Sequence, residues 1–176
     1  MALKQGDKDY LEAHSKAKLE FLKQYLDRYL KILLLDKYTV QINIFDLFCG
    51  IGIYENDGSK GSPIIIADLL KYNKKFNQET ELCLIINDID EKKVKYVSNY
   101  IKENYQEEFY FIYYSLDAKK IIDEIKKLNF SSQTKNFIFI DPHGYKDIFK
   151  NDIYELMNIG KTEILIFLPV SNMFRF

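Results

Sequence analysis

The chain has 176 residues, 47% of them hydrophobic and 29% charged, with a formal net charge of −1. That length and balance fit one domain with a sizeable buried core and exclude a disordered chain. The near-neutral charge excludes a global electrostatic pull toward nucleic acid or a membrane surface, so lysine groups such as Lys92, Lys93 and Lys95 read as solvated helix faces.

The first predicted element is a helix over about Asp9 to Leu35. Its apolar residues Leu19, Leu22, Leu26, Leu30 and Leu33 fall three or four apart and define one buried stripe. "VQINIFDLF" follows as a strand and "YENDGSKG" as a polar loop. In "GSPIIIADLLKY", Ser62 is the expected N-cap and Pro63 the first helical residue, where its missing N–H is harmless. "ELCLIIN" is a continuous apolar run suited to a central parallel strand. Asp90 is placed to cap a helix whose apolar positions are Val94, Val97 and Ile101.

The order then repeats. "FYFIYY" reads as a strand, and Asp117 caps a helix carrying Ile121, Ile122, Ile125 and Leu128. "NFIFI" is a strand ending on Asp141 and Pro142. A helix around Asp152 to Asn158 stops at Gly160, and "EILIFLP" is a fifth strand.

Strands alternating with helices at this spacing predict an α/β fold: a doubly wound, mostly parallel sheet of about five strands, preceded by a long N-terminal helix. Residues 1–38 are expected to form a helical segment packed on a Rossmann-like core of residues 39–176. In such sheets ligands bind beyond the carboxyl ends of the strands. Asp46 to Gly52 follow the first strand, Asp88 the second, Asp117 the third and Asp141 the fourth. Any one of these acids can be a helix cap, but four along one rim point to a ligand.

Cys49, Cys83, His14 and His143 have neither disulfide-framework nor zinc-ligand spacing, so no structural metal is expected. The opening Met1 to Tyr10 is polar and charged, unlike a signal peptide, and no apolar run approaches the roughly 18 residues of a membrane span. A cytoplasmic location is the default expectation.

The turn "FDLFCGIGIY" decides which cofactor the rim suits. Glycines let the backbone approach a ligand because no side chain intervenes. A dinucleotide loop runs G-x-G-x-x-G directly into a helix. Here Gly50 and Gly52 lack the third glycine, whose place is taken by Glu55, and the helix waits until Ser62. The second acid also comes late, 88 − 46 = 42 residues after Asp46. A nicotinamide-dependent oxidoreductase is thus the weaker expectation, and S-adenosyl-L-methionine the stronger. Asp46, or the backbone of Phe48, Cys49, Gly50 and Gly52, would take its methionine end. Asp88 with Ile89 would face the ribose, where an acceptor-only carboxylate suits two hydroxyl donors. Asp117 and Ala118 would lie near the adenine.

"DLFCGIG" resembles the cofactor loop of the cytosine C5 methyltransferases, but neither Cys49 nor Cys83 follows a proline, as that family's nucleophile must. A broader match lies in "AHSKAKLEFLKQYL", "IFDLFCGIGIY", "GSPIIIADLL", "INDIDEKKV", "FIFIDPHGY" and "ILIFLPVSNMFRF". Together these resemble the three-Cys-motif partner (TcmP) family. The resemblance implies a methyltransferase-like Rossmann core, S-adenosyl-L-methionine as cofactor, and a radical-SAM-type partner protein with three cysteines. Its His-Thr-x-x-Lys motif corresponds to His14, Ser15 and Lys18, and its Gly-x-Gly-Tyr loop to Gly50, Gly52 and Tyr54. Its Gly-Ser-Pro corresponds to Gly61, Ser62 and Pro63. Asp-Pro-Phe-Gly corresponds to Asp141, Pro142, His143 and Gly144, with His in place of Phe.

In amino-group methyltransferases the related motif holds an exocyclic amine on its Asp, which implies Asp141 as the orienting residue. His143 or Tyr145 would then supply a stacking ring, or His143 a proton acceptor. Methyltransferase cores usually continue past the fifth strand into a helix and a β-hairpin, whereas this chain ends at "NMFRF". Met173, Phe174 and Phe176 are therefore expected to need cover, in a longer protein or in a homo-oligomer. A non-catalytic module that docks a protein or nucleic acid remains an alternative from another class.

Overall fold

A computed structural model describes residues 11–55, 57–142, 144 and 148–168. In order the elements are α1 (Ala13–Leu34), β1 (Gln41–Asp46), α2 (Ser62–Asn73), β2 (Glu81–Asn87), α3 (Glu91–Asn104), β3 (Tyr110–Tyr114), α4 (Ala118–Lys126), β4 (Thr134–Ile140), α5 (Lys150–Met157) and β5 (Lys161–Ile166). The five strands form one sheet in the order β3-β2-β1-β4-β5, with every neighbouring pair parallel. The fold is doubly wound α/β and Rossmann-like. Its order reverses between β1 and β4, which places the crevice of such sheets at the ends of those two strands.

The strands alternate which face they serve. Ile42 and Ile44 of β1, Leu82, Leu84 and Ile86 of β2, and Phe137 and Phe139 of β4 pack with α1, α2 and α3. Phe45, Cys83, Ile85, Ile138 and Ile140 point the other way, onto Ile121, Ile122 and Ile125 of α4 and Leu156 of α5. Double-sided burial explains the unbroken apolar runs of β1, β2 and β4. The edge strands β3 and β5 are only partly covered.

Several expected boundaries shift for physical reasons. The α1 stripe runs through Leu19, Leu22, Leu26, Leu30 and Leu34, each fully or nearly buried and contributing about 2 kcal/mol. Leu34 lies four residues beyond Leu30 and continues the stripe, whereas Leu33 is only half-buried. The N-cap of α2 is Gly61 rather than Ser62, because the Gly61 N–H donates to the Gly52 carbonyl at 2.6 Å and starts the helix one residue early. Leu128 lies past the end of α4 and is 47% exposed. Helix α5 starts at Lys150, where the Phe149 N–H donates to the Asp152 carboxylate at 2.9 Å. Asp90 and Asp117 cap α3 and α4 as expected, accepting from the N–H groups of Lys92 and Lys120. Among the described residues no helix is long and apolar enough to cross a membrane.

Candidate functional site

The carboxyl end of β1 is built as a folded-back turn. Asp46 is the last residue of β1, flanked in register by Ile86 of β2 and Phe139 of β4. The chain then stays tied to both neighbours: the Leu47 N–H donates to Phe139 at 3.1 Å and the Cys49 N–H to Asn87 at 2.9 Å. It returns on itself through a single antiparallel bridge between Ile53 and Lys60.

The two glycines of the turn do different work. Both have positive φ, +60° at Gly50 and +79° at Gly52, which a side chain resists. A Cβ on Gly52 would also meet the Val97 side chain at 2.7 Å, so this glycine exists for close packing against α3. A Cβ on Gly50 would meet nothing within 4 Å. Only Gly50 therefore presents open backbone, and its N–H already donates to Asp88 Oδ2 at 3.0 Å.

Asp88 braces the rim. Its other oxygen, Oδ1, accepts the Asp90 N–H at 2.9 Å, leaving lone pairs on both oxygens. Asn87 was missed by sequence reasoning, although a polar residue closing an apolar strand is a readable signal. Its amide donates to the carbonyls of Leu47 and Leu116 at 3.1 and 3.0 Å and accepts from the Leu116 N–H. It thus locks the turns after β1 and β3 together. Ile89, between the two acids, is 74% exposed.

Asp46 is the unusual group. It is fully buried, and neither carboxylate oxygen closes a hydrogen bond. Burial pushes its carboxyl up to about 7, and the charges of Asp141 and Asp88 push the same way. The Ser62 hydroxyl and the Phe48 N–H lie close enough to oppose the shift without satisfying either oxygen. Asp46 thus lies within electrostatic reach of both other acids, so the three cluster at one end of the sheet.

Lys18 of α1 meets Asp141 at the end of β4, its Nζ lying 2.5 and 2.8 Å from the two carboxylate oxygens. The pair is partly open, at 30% and 23% side-chain exposure. The same Nζ stands 5.9 Å from the centre of the Phe167 ring. A second tether, Lys16 to Asp57 at 3.7 Å, joins the start of α1 to the glycine turn.

The other expected site residues lie as follows. His14, one turn before Lys18, points to solvent at 69% exposure and sits 3.7 Å from Glu12. Cys49 is buried among apolar side chains, and burial, with Asp46 and Asp88, pushes its thiol well above the usual range, so it is no nucleophile. Phe48 and Ala118 pack on the α4 face of the core and Tyr54 on the α1 face. Asp117 is engaged as a cap, held below the usual carboxylate range first by the Lys120 N–H. Pro142 is buried and Gly144 half-buried. His143, Tyr145, Met173, Phe174 and Phe176 fall outside the described residues. A hollow of about 420 Å³ lined by Gln41, Glu79, Glu81, Phe130 and Thr134 opens at the amino end of the sheet, away from these acids.

No family model matches the chain, and no curated protein does. Solved structures with a similar course include a candidate methylase from Haemophilus influenzae, 14% identical, with a TM-score of 0.46 over 82% of this chain and 69% of that one. A candidate methyltransferase from Escherichia coli is 12% identical, with a TM-score of 0.49 over 90% and 71%. A candidate caffeoyl-CoA O-methyltransferase from Staphylococcus aureus is 14% identical, with a TM-score of 0.45 over 85% of this chain and 56% of that one. These are likenesses of chain course alone.

Proposed function

We propose that the chain is an S-adenosyl-L-methionine-dependent methyltransferase-like protein of the three-Cys-motif partner type, acting on an amine. The observation that carries this reading is Asp46: a buried carboxylate without a hydrogen-bond partner, beside the open glycine turn and within reach of two more acids. A group left this way is costly unless a ligand completes it. The donor set calls for a cation, because Asp46, Asp88 and Asp141 outnumber the two lysines at this end of the sheet, Lys18 and Lys93. The latter is buried on α3 near Cys49 rather than on a solvated helix face. S-adenosyl-L-methionine fits, with its ammonium and sulfonium charges and two ribose hydroxyl donors.

When bound, the cofactor supplies a methyl group on an already activated sulfonium, so that a nitrogen lone pair can form the N–C bond while the C–S pair returns to sulfur. The protein has to bind and align. Asp46 would receive the ammonium, Asp88 the ribose hydroxyls through its remaining lone pairs, and the exposed Ile89 would cover the sugar–base end. Asp141 would orient the acceptor nitrogen. A diphosphate-bearing nicotinamide cofactor suits the rim poorly, since its charge would meet three acids and Gly50 has already spent its N–H on Asp88. Under the family resemblance, the protein partner is a radical-SAM-type chain with three cysteines.

Thermal melts separate these readings. S-adenosyl-L-methionine at millimolar concentration is expected to raise the melting temperature by several degrees, with NAD inert. The converse pattern, or silence from both, would rule the proposal out. A docking module without catalysis is the second reading, favoured by Phe21, Ile32 and Leu35, exposed on or beside α1 at 53%, 69% and 73%. It expects Asp141→Ala to keep biological function.

A further inference from the structure

Deepening the methyl-transfer reading, and resting on it for the word acceptor, we infer that the acceptor subsite is built for a primary alkylammonium group, and that Lys18 is its resident occupant. The Lys18 ammonium holds both oxygens of Asp141, at 2.5 and 2.8 Å, with the Phe167 ring 5.9 Å away. A carboxylate beside an aromatic ring is how proteins recognise an ammonium ion. Lys18 reaches this position from a helix 123 residues distant in sequence, and both partners remain partly open to solvent.

An incoming nitrogen must displace this contact to reach Asp141. A neutral aromatic amine, such as the exocyclic group of a nucleobase, would replace a charge-assisted bond with a neutral one of about half the strength. It would also strand the carboxylate beside Asp46 and Asp88. An alkylammonium exchanges like for like, charge for charge, and keeps the contact with the ring. The surplus of carboxylates favours the same outcome, since three acids still outnumber Lys18 and Lys93 and a further cation is attracted rather than repelled. The substrate class is therefore an aliphatic primary amine, such as a lysine side chain or a polyamine. It binds as the ammonium and gives up one proton to solvent at this part-open position before its nitrogen lone pair can take the methyl group. Lys18 sets the threshold that the amine must overcome.

The test titrates n-butylammonium and cytidine into the full chain and into Lys18→Met, which keeps an unbranched side chain one atom shorter and loses the charge. Removal of the resident competitor should tighten n-butylammonium binding about fivefold, the scale of a part-exposed ion pair, and leave cytidine unaffected. Adding Asp141→Asn to Lys18→Met should abolish the gain. Equal n-butylammonium affinity in the wild-type protein and Lys18→Met, or a gain confined to cytidine, would overturn the inference. Should Lys18→Met not fold, the Lys18 side-chain nitrogen resonance of the wild-type protein serves instead. It should shift on saturation with n-butylammonium and stay still with butanol, and a resonance indifferent to both overturns the inference. S-adenosyl-L-methionine titrated into the same wild-type sample separates the two ideas. Cofactor binding without ammonium exchange removes this inference alone, and absent cofactor binding removes the methyl-transfer reading.

Discussion

Asp46 at the carboxyl rim and Asp152 beneath the α4–α5 surface are the same residue in nearly the same state of burial, at 0% and 3% exposure. Their surroundings differ completely. Burial pushes the Asp152 carboxyl up, but the Lys119 ammonium at 2.9 Å and the Phe149 N–H outweigh it and hold the group below the usual range. Asp46 has only the Ser62 hydroxyl and the Phe48 N–H nearby, neither of which closes a hydrogen bond, and its carboxyl rises to about 7. The fold thus neutralises a buried acid where the acid serves the helix pair. At the rim it leaves one unsatisfied, the group that the proposed cofactor would complete.

The glycine turn gives the largest expected effect on the rim side of this contrast. Gly52→Ala adds a clash with Val97 to a left-handed backbone and should cost about 3 kcal/mol in urea melts. A loss under about 1 kcal/mol would mean that the turn is looser than described. Asp152→Ala should cost about 2 kcal/mol, less than a fully buried pair because the Lys119 side chain is 57% exposed and can rehydrate. Asp46→Asn should do the opposite and stabilise the ligand-free protein by about 1 kcal/mol at pH 8, as expected of a group held for function. If it destabilises as much as Asp152→Ala, the contrast between the two acids collapses.

The sign of the pH dependence follows from the same shift. A folded-state carboxyl raised to about 7 binds its proton more tightly than in the unfolded chain, so its contribution favours folding at acid pH and declines as pH rises from about 4 to 7. The stability difference between wild type and Asp46→Asn should therefore widen across that window and then level off. A pH-independent difference would mean that a donor holds the Asp46 carboxylate ionised in the folded protein. Gly50→Ala has the smallest expected effect, about 1 kcal/mol for the positive φ alone, because open space surrounds the added methyl. Its influence should instead fall on ligand affinity.

Much of the fold was legible because each element carries its own period: four-residue steps along α1, apolar runs in β1, β2 and β4, and acids that punctuate strand ends. Leu34 was missed in favour of Leu33 because Leu33 and Leu34 lie three and four residues beyond Leu30, spacings that fit a helical stripe equally well in the sequence. Placing Asp46, Asp88, Asp117 and Asp141 at strand ends was a local inference and needed no tertiary knowledge. The Asp117 cap is local too and was expected, but what the other acids bond to is not. Asp88 turned out to brace Gly50, 38 residues away, and Asp141 to meet Lys18, while Asp46 is left unsatisfied. Gly52 packs against Val97, 45 residues away, so its glycine character reads identically whether it serves a ligand or a helix. The Lys18–Asp141 contact joins the two ends of the described chain, and only the family resemblance pointed at both residues.

The central claim is that the Asp46 carboxylate waits for a cationic group of an adenosine-bearing ligand. Isothermal titration of S-adenosyl-L-methionine into the wild-type protein and into Asp46→Asn at pH 8 tests it most directly. The account predicts saturable heat in the wild type and affinity at least about tenfold weaker in the variant, the loss expected for one charge-assisted hydrogen bond. Equal affinities in the two proteins, or no heat in the wild type, would contradict it.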